Sequence, residues 1–584
     1  MSETGSMVSD VSCWATAAVF VFGLVFLGVR LKEVQVEDSA DYRYANSRQS
    51  VRRVQLAGVR GRILDRHGDV LADNRTSISI VADAACFQRR TWSDTVLEIE
   101  TAISNVARIV GRPSPLSAKA VKRHVNQSLA MPLIVWRDVS DAELARFSEH
   151  ESEFPGFSAL EADERRYPFG SLAAHIIGYV GRDRGDAVAG DEKFNFYQPE
   201  IRGRSGLELY YDQFLRGVPG ERKVIVDARG FSISSYVAVE PGAGPDLKLT
   251  LDARIQRAVE RQLQGEKGAC VVMDPQTGEI LAIASAPTFN PNCFVPRLTQ
   301  EMYDSYAGDP AKPLLNRAVG GAYAPGSTFK PVTALAALRM GYPPSRKYEC
   351  TGAFEMGKMR LRCAARWGHG RMDMRHALEK SCNPYFCHLA FDTGTNALIA
   401  AARDLGFGSK TGVDFGIDMA GTVPDAEWKR RMYGESWFLG DLMQMSIGQG
   451  MLLASPLQMA RLAGAVGTGY LAVPRLKAGM SPELKRIAFS DADLEVVREG
   501  MRMVVDGGTG RRAGEGVAVE VSGKTGTAEI GRGSARRKNA WFIAYAPSEK
   551  PSVAVAMVVE NGDSGGGTAA PKVREILKEI FNDR

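Results

Sequence analysis

Three short motifs, far apart in the chain but in fixed order, most limit what this sequence can fold into: Ser327-Thr328-Phe329-Lys330, Ser381-Cys382-Asn383 and Lys524-Thr525-Gly526-Thr527. A Ser-x-x-Lys pair alone should turn up on the order of twice by chance in a chain this long at ordinary residue usage. The ordered trio is a different matter, because each piece supplies a distinct chemical part. Pro325-Gly326 precedes Ser327, and Val332 to Met340 is rich in Ala and Leu, so the spacing predicts Ser327 at a helix start. Pro331 is tolerable there, since first-turn amides lack intrahelical partners. Three residues on, Lys330 shares the same helix face and its amine reaches the Ser327 hydroxyl. A serine hydroxyl is a poor nucleophile until a base takes its proton, and a lysine serves only if burial or nearby cations lower its pKa. Taken alone, Lys330 reads as an exposed helix cation.

Ser381 and Asn383 follow a helical stretch, Met374 to Glu379. They suit a proton relay from Ser381 towards a leaving amine and a hydrogen bond from Asn383 to a bound peptide, although a Ser-Cys-Asn-Pro turn is unremarkable by itself. Lys524-Thr525-Gly526-Thr527 follows the strand-like Val517 to Val521. Gly526 is expected to let a substrate backbone approach the strand. Thr525 and Thr527 offer hydroxyls for a terminal carboxylate, and the Thr527 amide would complete an oxyanion hole with that of Ser327. Ser522-Gly-Lys-Thr525 resembles the end of a phosphate-binding loop, but Ala518 stands where its first glycine is required, so nucleotide binding is rejected.

The 584 residues suit three to four units at roughly 150 residues per domain. The net charge of +5, from 73 basic and 68 acidic residues, does not indicate nucleic-acid binding. From Val11 to Val29 the chain runs without a charge, closed by Arg30. That matches the roughly 20 residues needed to cross a bilayer core, and no A-x-A-like cleavage site follows. An uncleaved signal anchor is expected, against a buried soluble helix. Arg30 and Lys32 after the span would keep the carboxyl side in the cytoplasm, but that rule weakens for long translocated domains. The motifs place it outside.

Arg60 to Ala72 predicts two short strands around the His67-Gly68-Asp69 turn. A mixed region continues to Pro241-Gly-Ala-Gly-Pro245, a natural break. Beyond it, Ile255, Val259 and Leu263 mark a helix; Ala269 to Asp274 and Glu279 to Ala286 a hairpin; Ala540 to Ala546 and Val553 to Glu560 two late strands. A last helix begins near Pro571, with Val573, Ile576, Leu577, Ile580 and Phe581 on one face. The layout is α+β, an antiparallel sheet flanked by helices. Expected domains are a head (1–10), the anchor (11–29), a mixed non-catalytic pedestal (33–245) and a catalytic domain (249–584).

Together these residues resemble the class B penicillin-binding proteins, monofunctional D,D-transpeptidases of peptidoglycan synthesis. The Arg60-Gly-Arg-Ile-Leu-Asp-Arg and Arg204-Ser-Gly-Leu-Glu boxes match the family's pedestal. Asn316-Arg317-Ala318, Ala324 to Lys330, Gly448-Gln449-Gly450 and Ala540-Trp541-Phe542 match its transpeptidase domain. The resemblance implies that Ser327 is acylated by a D-Ala-D-Ala stem peptide, that terminal D-Ala leaves, and that a neighbouring stem's amine resolves the ester. It implies a single-pass inner-membrane protein with a periplasmic catalytic domain, acting on lipid-linked peptidoglycan strands and bound by β-lactams. Its partners would be a polytopic glycosyltransferase and the elongation machinery, and the chemistry needs no cofactor. Arg366-Trp367-Gly368-His369-Gly370 resembles the elongation type more than the division type. Rival readings are a β-lactam sensor or hydrolase, a carboxypeptidase and an idle scaffold. The long pedestal counts against a hydrolase, and retention of Ser327, Lys330, Ser381, Asn383 and Lys524 against a scaffold.

Of eight cysteines, Cys350, Cys363 and Cys382 fall close to His369. Three thiolates and an imidazole make a tetrahedral set suited to structural zinc. The alternative is a Cys350–Cys363 disulfide in an oxidising compartment, with Cys382 a buried free thiol. The resemblance adds that some elongation-type relatives carry a metal at matching positions, with carboxylates where Cys350 and Cys363 stand.

Overall fold

The computed structural model describes residues 4–39, 50–182, 194–197, 201–295, 298–357, 359–531 and 537–582. Residues 1–3 of the expected head and 40–49 of the membrane-proximal connector lie outside them. Helix α1, Thr4–Lys32, carries the charge-free run, and from Ser12 to Glu37 the chain is long and apolar enough to cross a membrane.

Among the described residues the pedestal is built mainly on two larger sheets. β1 (Val51–Leu56) pairs antiparallel with β6 (Gly220–Val226), which pairs with β7 (Ser232–Val239). In the other sheet β2 (Ile63–Leu64) and β3 (Val70–Ala82) form the predicted pair about the His67-Gly68-Asp69 turn. β3 then takes β4 (Leu133–Trp136) and β5 (Phe157–Arg166), and β8 (Leu247–Lys248) runs parallel to β2.

The outer part of the pedestal has its own core, from Ile80 through Trp136 and Phe147 to Phe231. The inner part does not. Ile63, Leu71, Tyr167, Leu207 and Leu215 share one core with the catalytic domain, so the boundary near residue 245 is not a break in packing. This neck holds a buried ionic knot. Glu208, with no exposure, accepts from Arg60 Nε and Arg165 Nε at 2.7 Å each, and Arg60 Nη1 reaches Asp212 Oδ1 at 2.8 Å.

The catalytic domain centres on a five-stranded antiparallel sheet. After α2 (Ala253–Leu263), capped by the Asp252 carboxylate, come β9 (Gly268–Met273) and β10 (Ile280–Ala286) as a hairpin. Next come α3 (Lys330–Arg339) and the hairpin β11 (Ala353–Met356) and β12 (Met359–Arg362). They are followed by α4 (Met374–Glu379), α5 (Asn383–Thr393) and α6 (Pro456–Thr468). β13 (Ser522–Ile530), β14 (Arg537–Ala546), β15 (Val553–Glu560) and α7 (Ala570–Phe581) close the chain. Spatial strand order is β10-β9-β15-β14-β13.

Both sheet faces are covered, so β9, β10, β15 and the Ala540–Ala546 part of β14 are apolar on both sides rather than alternating. Along β14, Ala540, Phe542 and Ala544 join the core under α2 and α7, while Trp541, Ile543 and Tyr545 join the core shared with α3 and α6. The predicted α+β layout and its hairpin, late strands and last helix are all present. One element differs. Val517 to Val521 is not strand; the strand begins at Ser522 and contains the Lys-Thr-Gly motif. β13 is the sheet's edge, so its outer row of backbone groups faces the cleft, ready for another strand.

Candidate active site

Ser327 sits in a 3-10 turn, Gly326–Phe329, that runs directly into α3. The turn is clamped from two sides. Gly326 has φ of +57°, and its amide donates to Gly448 O at 2.7 Å. A β-carbon on Gly448 would stand 2.0 Å from Gly326 O, so that contact requires glycine. On the sheet side, Trp541 Nε1 donates to Ala324 O at 3.1 Å. Gly526 is needed for the same closeness. A β-carbon there would lie 2.9 Å from Pro325 O and 2.9 Å from Thr328 Cγ2. The glycine therefore lets the edge strand press against the Ser327 turn, a different backbone from the substrate's expected one.

Lys330 Nζ is fully buried and donates to Ser381 O at 2.6 Å, Asn383 Oδ1 at 2.7 Å and Ser381 Oγ at 3.2 Å. Its contacts thus run to the second motif, and none of these three bonds goes to Ser327. Lys524 Nζ, also buried, donates to the same Ser381 Oγ at 2.9 Å and to Thr525 O at 3.1 Å. Burial pulls the Lys330 ammonium down to about 8, against the opposite pull of the nearby Cys382, Cys363, Cys387 and Cys350 thiols. Burial, and then the Lys330 charge, holds Lys524 well below the ordinary lysine range. Among the described residues no carboxylate pairs with either amine. A proton can therefore be passed here without breaking an ion pair.

The placement of Ser381 follows from how α4 ends. Cys382 N returns to Ala377 O and Ser381 N to Leu378 O, the bond pair of a Schellman cap. Glycine normally fills the left-handed position of such a cap. Here Ser381 takes it, with φ of +57°, at a cost on the order of 1 kcal/mol or more. The strain turns the hydroxyl towards both lysines. Asn383 is the first residue of α5, and its amide is occupied at both ends. Its Oδ1 accepts from Lys330, and its Nδ2 donates to Arg362 O at 2.8 Å. It braces β12, and these two bonds use one of its two Nδ2 protons and one of its two Oδ1 acceptor sites.

The motifs converge on one open cleft of about 1260 Å³, lined by Ser327, Ser381, Asn383, Thr525, Gly526 and Thr527. Thr509, which no sequence pattern signals, also lines it, and its hydroxyl lies 2.6 Å from that of Thr525. The Gly565-Gly566-Gly567 run forms a further wall, and Gly565 N donates to Thr527 Oγ1 at 3.4 Å.

Cys350, Cys363, His369 and Cys382 come together beside this cleft, their four donor atoms all within 4.8 Å of one another. His369 Nδ1 is 3.4 Å from Cys363 Sγ and 3.7 Å from Cys350 Sγ. All three cysteines of the cluster are free of disulfides, so the alternative Cys350–Cys363 disulfide is not formed. Cys363 is pulled down to about 4, first by the Cys382 thiol donating to it and then by the Asn383 and Ala365 amides. A thiolate cradled by amides, two further buried thiols and an imidazole fit a tetrahedral metal.

Known proteins share this architecture. Residues 55–249 match the penicillin-binding protein dimerisation domain, and residues 268–578 the penicillin-binding protein transpeptidase domain. The chain is 33% identical to the peptidoglycan D,D-transpeptidase MrdA of Acinetobacter baumannii, over 96% of this chain and 85% of that protein. It is 30% identical to MrdA of Escherichia coli K12, over 97% and 93%. Among solved structures, PBP2 of Helicobacter pylori in complex with MreC superposes with a TM-score of 0.78 at 28% identity, covering 91% of this chain and 98% of that one. A peptidoglycan synthase complex of coordinated polymerisation and crosslinking gives 0.74 at 29%, covering 100% and 99%.

Proposed function

Because this chain belongs to the penicillin-binding proteins, as an elongation-type peptidoglycan D,D-transpeptidase, we propose that Ser327 is its nucleophile and that Lys330, Ser381, Asn383 and Lys524 serve it. The observation that carries this is the convergence of two buried, carboxylate-free lysines on one hydroxyl beside Ser327. Neutral Lys330 takes the Ser327 proton as the hydroxyl attacks the carbonyl of the penultimate D-Ala. The Ser327 and Thr527 amides stabilise the oxyanion. Lys524 and Ser381 return a proton to the departing D-Ala amine, while Thr525 and Thr527 hold its carboxylate. An amine from a neighbouring stem then attacks the ester and restores Ser327, so atoms and protons balance over the two steps. Asn383 positions Lys330 and β12, and its second Nδ2 proton is available to a bound peptide.

Cys350, Cys363, His369 and Cys382 would hold zinc, a structural ion that takes no part in the chemistry and fixes the turn carrying Ser381. Mass spectrometry of the native protein should find one zinc, lost in Cys363→Ser. α1 anchors the chain in the inner membrane, with residues 249–584 in the periplasm and 33–245 as the pedestal. Partners of the kind solved with the relatives, MreC and a glycan polymerase, fit that arrangement. Neither a division role nor a scaffold is favoured by the relatives.

The test is the intact mass of residues 33–584 after exposure to benzylpenicillin. A stable adduct absent from Ser327→Ala supports the assignment. No adduct, or rapid loss of the antibiotic without one, defeats it.

A further inference from the structure

The cleft carries a charge imbalance that the reaction at Ser327 does not use. Arg360, Arg362, Lys380, Arg511, Arg512 and Lys538 line it, against two carboxylates, Glu529 and Asp563. The whole chain is close to balanced, with 73 basic and 68 acidic residues, so the cleft departs from the surface at large. Some of these cations are already matched. Arg360 pairs with Glu355, Lys380 with Glu379, and Arg511 approaches Glu515. The exposed guanidinium groups of Arg362 and Arg512 have no hydrogen bond or ion pair among the described residues.

Both arginines are tied through the backbone to the groups that receive the donor peptide. Arg362 ends β12, and its carbonyl is held by Asn383 Nδ2 at 2.8 Å, which fixes where its side chain leaves the strand. Arg512 follows Thr509 on the next short turn, and the Thr509 hydroxyl contacts that of Thr525. A peptide added along the outer edge of β13, its terminal carboxylate at Thr525 and Thr527, thus lies in a cleft that both unmatched arginines line. A guanidinium matches a carboxylate in a bidentate fork and gains little from a neutral amide.

We propose that this cleft selects stem peptides bearing free carboxylates inboard of the terminal D-Ala over the same peptides amidated there, with Arg362 and Arg512 as the specificity-determining residues. The proposal rests on Ser327 being the nucleophile of this cleft. It adds the charge of the substrate. Each exposed ion pair is weak, so it takes both contacts, near the strong end of the usual range for exposed pairs, to give about a tenfold preference.

The experiment is competition against labelling of the full chain in detergent by a fluorescent penicillin. The competitors are two synthetic pentapeptides ending in D-Ala-D-Ala, identical except that the internal carboxylates are free in one and amides in the other. The acid peptide should halve the labelling rate at about one-tenth of the concentration the amide needs. That ratio should fall to within about twofold in the Arg362→Gln/Arg512→Gln double variant, and in the wild type at about 1 M salt, where charges are screened within a few ångströms. Because each ratio is taken within a single protein preparation, partial misfolding of a variant does not produce the result. Equal competition by the two peptides, no competition by the acid peptide, or an unchanged ratio in the double variant overturns the proposal. A wild type that takes no label at Ser327 sinks the nucleophile assignment instead, and this proposal with it.

Discussion

The neck and the catalytic cleft each bury a pair of long cations, and they treat those charges in opposite ways. In the neck, Arg60 and Arg165 share the Glu208 carboxylate, and Asp212 supplies a second anion. Burial alone would pull Arg60 down, but Glu208 and Asp212 outweigh it and its pKa is raised. In the cleft, Lys330 and Lys524 share only a neutral hydroxyl, and both are lowered. Carboxylates bonded to the cations in the first case lock protons in place; without such a bond in the second, protons are free to move. Burial is common to both, so the partner decides whether a buried cation holds a fold together or does chemistry.

The largest effect that tests the comparison is Lys330→Met. It removes the base and should slow acylation by benzylpenicillin by roughly 10²- to 10⁴-fold. Because it also removes a buried cation that no carboxylate pairs, the melting temperature should hold or rise. A marked loss of stability would mean that Lys330 is a structural cation, like those of the neck.

Glu208→Ala should do the reverse. Two guanidinium groups would be left buried without their shared anion, a loss of about 3–5 kcal/mol. Since this neck shares its core with the catalytic domain, thermal unfolding of both parts should shift together. Two separate transitions, with only the pedestal destabilised, would show that the shared core does not couple them.

The same contrast governs pH. Lys330 acts as a base only when neutral, so acylation should rise about tenfold per unit up to roughly pH 8 and then level off. For stability the sign follows from linkage. Below about 8 Lys330 is charged in both states, and between about 8 and its ordinary value of 10.5 the unfolded chain holds more protons. Folding is therefore favoured increasingly across that window. Asp212 works from the acid side. The opposing pull of burial is outweighed by the Gly203 amide, Arg216 and Arg60, which hold it below its ordinary value of 3.8. The stability it contributes is present at neutral pH and lost as pH falls through that depressed value. Stopped-flow acylation and pH-dependent melting separate the two, and a flat acylation profile from pH 6 to 9 would remove Lys330 as the base.

These relations were unevenly legible in the sequence. The hairpin Gly268–Ala286, the late strands and the last helix announce themselves because turn residues and apolar runs are local signals. The Ser327, Ser381 and Lys524 motifs do so through order and spacing. What bonds to what is not local. Lys330 lies on the first turn of α3, yet its amine points away to the end of α4. Gly526 reads as room for a substrate and turns out to make room for Pro325 and Thr328. Ser381 gives no sign of its left-handed backbone, because glycine is the residue that usually marks that position. The shared core of the neck is invisible for the same reason: Leu207 and Leu215 look like any pedestal leucines until the partner surface is present.

The smallest effect isolates burial itself. Arg53 meets Glu221 across β1 and β6 in a bidentate fork, Nε to Oε1 and Nη2 to Oε2 at 2.7 Å each, but Arg53 is 37% exposed. It is Arg-carboxylate chemistry without the dry surroundings of Glu208. Water already stabilises these charges and the side chains give up rotamer freedom to meet, so Arg53→Gln should cost only about 0.2–1 kcal/mol by chemical denaturation. High salt should erase most of that difference, whereas the Glu208→Ala loss should persist in it. If Arg53→Gln costs as much as Glu208→Ala, ion-pair geometry rather than burial sets the strength of the neck, and the contrast between neck and cleft must be drawn on geometry instead.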